Sequence, residues 1–110
     1  MARKTPMPPA MLEQIARTFR VLGDASRLEI LQALMAAPKA VTTVVEETGK
    51  GQANVSKHLG VLLSAGLVSR TRRGNQVIYE VADPLVYQLC EMVCGSLRTR
   101  ISQQAKLLGK

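Results

Sequence analysis

The 110-residue chain has no tryptophan, one phenylalanine (Phe19) and two tyrosines (Tyr79, Tyr87). So few rings cannot build the aromatic platforms on which single-stranded nucleic acids stack. No window approaches the ~20 apolar residues of a membrane-spanning helix. The opening stretch MARKTPMPPA carries basic residues but no apolar run of the kind a secretory signal needs. Two cysteines four positions apart, Cys90 and Cys94, are no disulfide framework, so a reducing compartment and a cytoplasmic protein are expected. Acids are scarce as well: eight Asp and Glu face fifteen Lys and Arg, for a formal net charge of +7 and a pI near 10. That balance favours a polyanionic partner, and with single strands disfavoured, duplex DNA comes first and no membrane role is expected.

A chain of this length fits one domain that buries roughly 65% of its unfolded surface and can fold alone. Three prolines, Pro6, Pro8 and Pro9, mark residues 1–10 as a flexible arm. From Met11 to Leu22 the positions Leu12, Ile15, Ala16, Phe19 and Leu22 follow the helical period, and Gly23 stops the run. Leu28, Ile30, Leu31 and Leu34 mark a second helix, with an acid near its start and Pro38 just past its end. Val41, Val44, Val45 and Thr48 predict a short third helix, broken at Gly49 and Gly51. A fourth covers 52–65, with Val55, Leu59, Leu62 and Leu63 on one arc and Ala53, Asn54, Lys57, Gly60 and Val61 opposite. LVSRTRRGNQVIYEV then reads as two strands joined at Gly74-Asn75. Asp83 as N-cap and Pro84 at the first helical position open a last helix running to about Gln104. The expected fold is therefore mainly α with a two-stranded β-wing: four helices, two strands and a fifth helix, a winged helix-turn-helix.

The fourth helix carries no acid, and its outer face is small near its start. A major groove roughly 12 Å wide admits one such helix, whose N-terminal side chains reach base edges. Here these are Gln52, Asn54, Ser56 and Lys57. Gln and Asn pair bidentately with adenine, Ser donates or accepts, and Lys suits guanine or phosphate. His58, the only histidine, stands at the edge of the apolar arc, where it hydrogen-bonds to phosphate or to its own fold. The hairpin tip adds Arg70, Arg72, Arg73, Asn75 and Gln76, placed for backbone or minor-groove contact. The GKG at 49–51 lacks the spacing of a phosphate loop. No residue set forms an evident nucleophile arrangement and C-x-x-C spacing is absent, so no enzyme activity is expected.

LGDASRLEILQAL (22–34) followed by QANVSKHLGVLLSAGLVSRTRRGNQVIYEV (52–81) resembles the ArsR/SmtB family of winged-helix repressors, over about residues 11–98. The resemblance implies a homodimer pairing through its first and last helices. Such a dimer would sit on a pseudo-palindromic double-stranded operator and block a promoter until an effector releases it. The expected division of the chain is an arm at 1–10, a DNA-binding and dimerisation domain at 11–104, and a tail at 105–110. The familiar sensor sites are missing: AVTTVVEET has no Cys or His, the last helix has no His, and RLEILQALMAAP has no Cys.

Cys90 and Cys94 remain. On the last helix Val86, Leu89, Cys90, Val93, Leu97 and Leu108 share an arc, with Cys90 inside it and Cys94 at its border. At i, i+4 their Cβ atoms lie some 6 Å apart, too far for an unstrained disulfide within the helix, though both sulfurs can turn to one soft ion. Three readings stand: plain packing, sensing of a thiophilic metal or metalloid whose third ligand comes from elsewhere, or oxidation chemistry. No cofactor is certain. A non-specific architectural DNA-binding protein is the rival from another class.

Overall fold

The computed structural model describes residues 6–109; the first five residues of the expected arm and the last residue of the expected tail lie outside them. The elements in chain order are α1 (Pro9–Leu22), α2 (Ala25–Ala36), β1 (Lys39–Ala40), α3 (Val41–Thr48), α4 (Gln52–Ser64), β2 (Val68–Arg73), β3 (Gln76–Val81) and α5 (Leu85–Leu107).

Helix α1 begins two residues before the expected Met11. Pro9 takes the first helical position, where no N–H is needed, and the Pro8 carbonyl accepts the N–H groups of Met11 and Leu12 at 3.0 and 3.1 Å. The prolines that read as an arm thus start the helix. At the head of α2 the extended Asp24 accepts the Arg27 N–H at 3.1 Å, an N-cap in the full sense. Gly49 ends α3 in the left-handed region (φ 71°), which a side chain would resist, and α4 begins two residues later behind Gly51. Helix α5 starts one residue later than expected: Pro84, with helical angles, stands at the N-cap in place of Asp83, whose carboxylate accepts the Leu85 N–H at 2.9 Å from just before the helix.

The core collects one side of each helix. Val55, Leu59 and Leu62 of α4 are wholly buried against Ile30 and Leu31 of α2 and Val44 of α3, and Val86 anchors the start of α5 among them. Each such side chain contributes roughly 1.5–3 kcal/mol over its exposed state. Leu63 lies at the margin of the cluster, half-buried, and so does Val61, which the helical arc had placed on the outer face.

The two-stranded wing of β2 and β3 is present, and the sheet adds a strand that the sequence did not show. It has three strands in the order β1-β3-β2, with Lys39 opposite Tyr79 and Ala40 opposite Ile78. Two residues are too short to show a period of two. β1 exists because the chain between α2 and α3 passes the open edge of β3 and satisfies its backbone groups.

The Arg27 N–H, and then the nearby Arg27 guanidinium, hold the Asp24 carboxyl below its ordinary value of 3.8. The folded protein therefore binds this proton less readily than the unfolded chain does. The cap stabilises fully above 3.8 and is lost as pH falls through the lower folded value. Urea unfolding between pH 2 and pH 6 is expected to show a steeper acid loss for the wild type than for Asp24→Asn, which keeps a capping oxygen without the charge. Matching slopes would remove Asp24 from the acid sensitivity.

Candidate nucleic-acid interface

The burial of Val55, Leu59 and Leu62 leaves the opposite side of α4 in solvent. Gln52, Asn54, Ser56 and Lys57 are all exposed, together with the small Ala53 and Gly60. No acid lies on the helix, and nothing within 4 Å crowds the Gly60 position. A backbone or groove wall can therefore approach this side closely, and the four polar side chains have free donors and acceptors to offer it.

His58 departs from the expected set. Its side chain is only 9% exposed, and Nδ1 lies 3.4 Å from Nη1 of Arg27. At about 240° round the helix from Gln52 it falls on the core side of Asn54, so it serves the fold in place of a groove contact. Arg27, which the sequence reading did not single out, is the residue that holds it there. Its Nε donates to the Val21 carbonyl at 2.7 Å and Nη2 to the Arg20 carbonyl at 3.3 Å, both at the end of α1. A lone Arg three residues past an N-cap gives no periodic signal of such a role.

In the wing, β2 and β3 pair from Val68–Val81 out to Arg73–Gln76. Gly74 has φ 61° and Asn75 no positive φ, the pattern of a type II′ turn, whose first central position is glycine's. Because opposed residues share a face, Arg70 (opposite Tyr79) and Arg72 (opposite Val77) lie on one side of the ribbon. Arg73 and Gln76 lie on the other. All four, with Asn75, are exposed. The sequence grouped the three arginines; the register divides them.

Cys90 is half-buried against the core and Cys94 is exposed, as the arc implied. Both line an open groove of about 950 Å³ between α1, α2 and α5, walled by Phe19, Leu28, Met35, Val93, Leu97 and Ile101 among others. Of the expected α5 arc only Val86 is buried; Leu108 lies outside the groove at 75% exposure. Among the described residues no group of three or more His, Cys, Asp or Glu could hold a metal ion.

Space is free around the Gly74 position, so only its backbone conformation resists a side chain. Gly74→Val is expected to destabilise the protein by more than about 1 kcal/mol in denaturant unfolding. An unchanged midpoint would mean that the turn has another conformation.

Comparison with known proteins agrees with this geometry. The model of the family described as "Bacterial regulatory protein, arsR family" matches residues 24–70, from the α2 cap into the wing. The chain is 40% identical over 74 residues to a probable mercury resistance operon repressor of Streptomyces lividans, covering 67% of this chain and 59% of that one. It thus spans under two thirds of that relative's length. It is 37% identical over 86 residues to the HTH-type transcriptional regulator NmtR of Mycobacterium tuberculosis, covering 78% of this chain and 72% of NmtR. Among solved structures, a homodimeric winged helix-turn-helix DNA-binding domain from Mycobacterium bovis, determined by NMR, superposes with a TM-score of 0.77 at 32% identity. That match covers 89% of this chain and 91% of the other. With the family model matched from the α2 cap into the wing, and 37% identity to a regulator of which this chain covers 72%, this protein belongs to the arsR family of bacterial regulatory proteins.

Proposed function

We propose that the protein is a homodimeric, sequence-specific regulator of transcription that binds duplex DNA and acts as a repressor, with no enzymatic activity. The observation that carries this reading is the exposed, acid-free side of α4 on a rigid apolar base. Gln52 and Asn54 read adenine in the major groove, Ser56 and Lys57 take adjacent edges or phosphate, and α4 lies along the groove. Arg70, Arg72, Arg73, Asn75 and Gln76 meet the neighbouring backbone. Because the arginines occupy both sides of the ribbon, a wing tip lodged in the minor groove would engage them together.

The isolated chain is too open to be complete. Its radius of gyration is 17.2 Å, against about 13 Å for a compact chain of this length. Its accessible surface is 8056 Å², against roughly 5,900 Å² for its mass. The excess is of the order that specific interfaces bury. Much of it is apolar and lies on α1 and α5, with Phe19 59%, Val93 51% and Ile101 64% exposed. A second copy laid on this groove covers it through the first and last helices, and the similar Mycobacterium bovis domain is homodimeric. Two-fold symmetry then sets half-sites about 34 Å apart on a pseudo-palindromic operator. Among the described residues no helix is long and apolar enough to cross a membrane, which accords with action on DNA in the cytoplasm.

For an effector we propose a thiophilic metal or metalloid ion at Cys94 and Cys90. The Streptomyces lividans relative is a probable repressor of a mercury resistance operon, and two thiols suit that class of ion. They supply part of a trigonal or tetrahedral set, which a second copy or a small thiol would complete. Cys90 also packs against the core, so Cys94 is the more accessible ligand.

Two measurements test these readings. In anisotropy titrations against a duplex selected from a random library by the protein itself, Gln52→Ala or Asn54→Ala is expected to cost about 1–3 kcal/mol and leave random duplex unaffected. Arg72→Ala is expected to weaken both and lower the salt slope by about 1. Equal wild-type affinity for selected and random duplex would replace this reading with an architectural role. For the effector, the reduced protein is titrated on DNA with Hg(II), arsenite, Cd(II), Zn(II), Cu(I), persulfide or peroxide. One thiophilic ion is expected to release the wild type and not Cys94→Ser. Release by oxidant alone would assign redox chemistry, and release by none would assign packing.

A further inference from the structure

The four polar side chains proposed to read DNA make no side-chain hydrogen bond within the described residues. Among those residues a single such contact ties α4 to the rest of the protein, from Arg27 to His58. Its geometry is unusual because the same guanidinium reaches three helices. Nε and Nη2 hold the Val21 and Arg20 carbonyls at the end of α1, Nη1 lies 3.9 Å from the Asp24 carboxylate at the head of α2, and Nη1 meets His58 Nδ1 on α4. The Arg27 side chain is 17% exposed and its fork is planar and rigid, so these partners are fixed relative to one another.

We infer that Arg27 is a positioning residue for DNA recognition, holding α4 in rotation through His58 and tying it to the end of α1. The inference rests on the proposed function. The 3.4 Å contact is long for a hydrogen bond and adds little to folding stability, so its effect is directional. Asn54 and His58 stand at i and i+4, one above the other on α4. A hold on the His58 ring therefore sits one turn from a side chain that reads bases. Apolar packing of Val55, Leu59 and Leu62 keeps α4 seated. The Arg27–His58 contact adds a directional preference to that packing at the margin next to Asn54. Because α1 also borders the apolar groove, the same guanidinium links that groove to the DNA-facing side.

The test uses the full chain with two duplexes, one selected from a random library by the wild type and one random. Arg27→Met is expected to weaken the selected duplex about tenfold, the size of a disturbed base contact, and to change the random duplex less than about twofold. The Arg27→Met effect is expected to shrink in an Asn54→Ala background, since a base contact already lost cannot be misplaced. His58→Phe keeps the carbonyl bonds of Arg27 and most of the ring's packing, and tests the same contact should Arg27→Met fail to fold. It is expected to show the same selective loss. His58→Gln, which restores an acceptor, is expected to regain most of the affinity. Equal weakening of both duplexes, no weakening of either, or additivity with Asn54→Ala would overturn the positioning role while leaving a discriminating wild type as a regulator. A wild type that does not discriminate would overturn the proposed function itself.

Discussion

The exposed polar side of α4 depends on the burial of the side opposite it. Val55, Leu59 and Leu62 are removed wholly from water against α2 and α3, and this seats a helix whose other side has no use for the core. A 13-residue helix is marginal on its own in water. Packing keeps it formed, and the free side can then be spent on small and polar residues that stabilise nothing within the monomer. Ala53, Gly60 and the unpartnered Gln52, Asn54, Ser56 and Lys57 make sense only on such a foundation.

Polar contacts refine what packing seats. Asp24 closes the head of α2, Asp83 accepts the Leu85 N–H just before α5, and the Lys39 ammonium donates to the Ala33 carbonyl and to Glu47 at 2.7 and 2.9 Å, pinning the segment that becomes β1. Arg27 belongs with these but spans more of the molecule, joining the end of α1 to α2 and α4. Two of the helices that line the apolar groove are thereby in contact with α4. On the proposed function, a change in the groove around Cys90 and Cys94 has a physical route to α4 through α1 and α2.

The architecture follows from local chemistry to a large degree. Gly23, Gly49, Gly51 and Gly66 end or separate apolar runs of helical period, and the elements form between them. Gly74-Asn75 closes a hairpin because glycine accepts the positive φ that the two-residue turn demands. The polar side of α4 was legible for the same reason, since angular position on a helix follows from spacing alone. β1 was not legible, because its pairing depends on where β3 passes in space. The sequence left His58 at the margin of the arc, between phosphate and its own fold, and the structure buries its ring beside Arg27.

The sequence by itself determined the order of helices and strands, the basic charge, the acid-free side of α4 and the placement of Cys90 and Cys94 on the last helix. These properties reside in composition and in periods of 2 and 3.6 residues, which need no partner. The tertiary structure alone decided that the sheet has a third strand and that His58 packs inward beside Arg27. It also decided that most of the α5 apolar arc remains uncovered by its own chain. Each of those depends on residues distant in sequence meeting in space, Lys39 with Tyr79, Arg27 with His58, or Phe19 with Cys94 across a groove, and no local pattern encodes such a meeting.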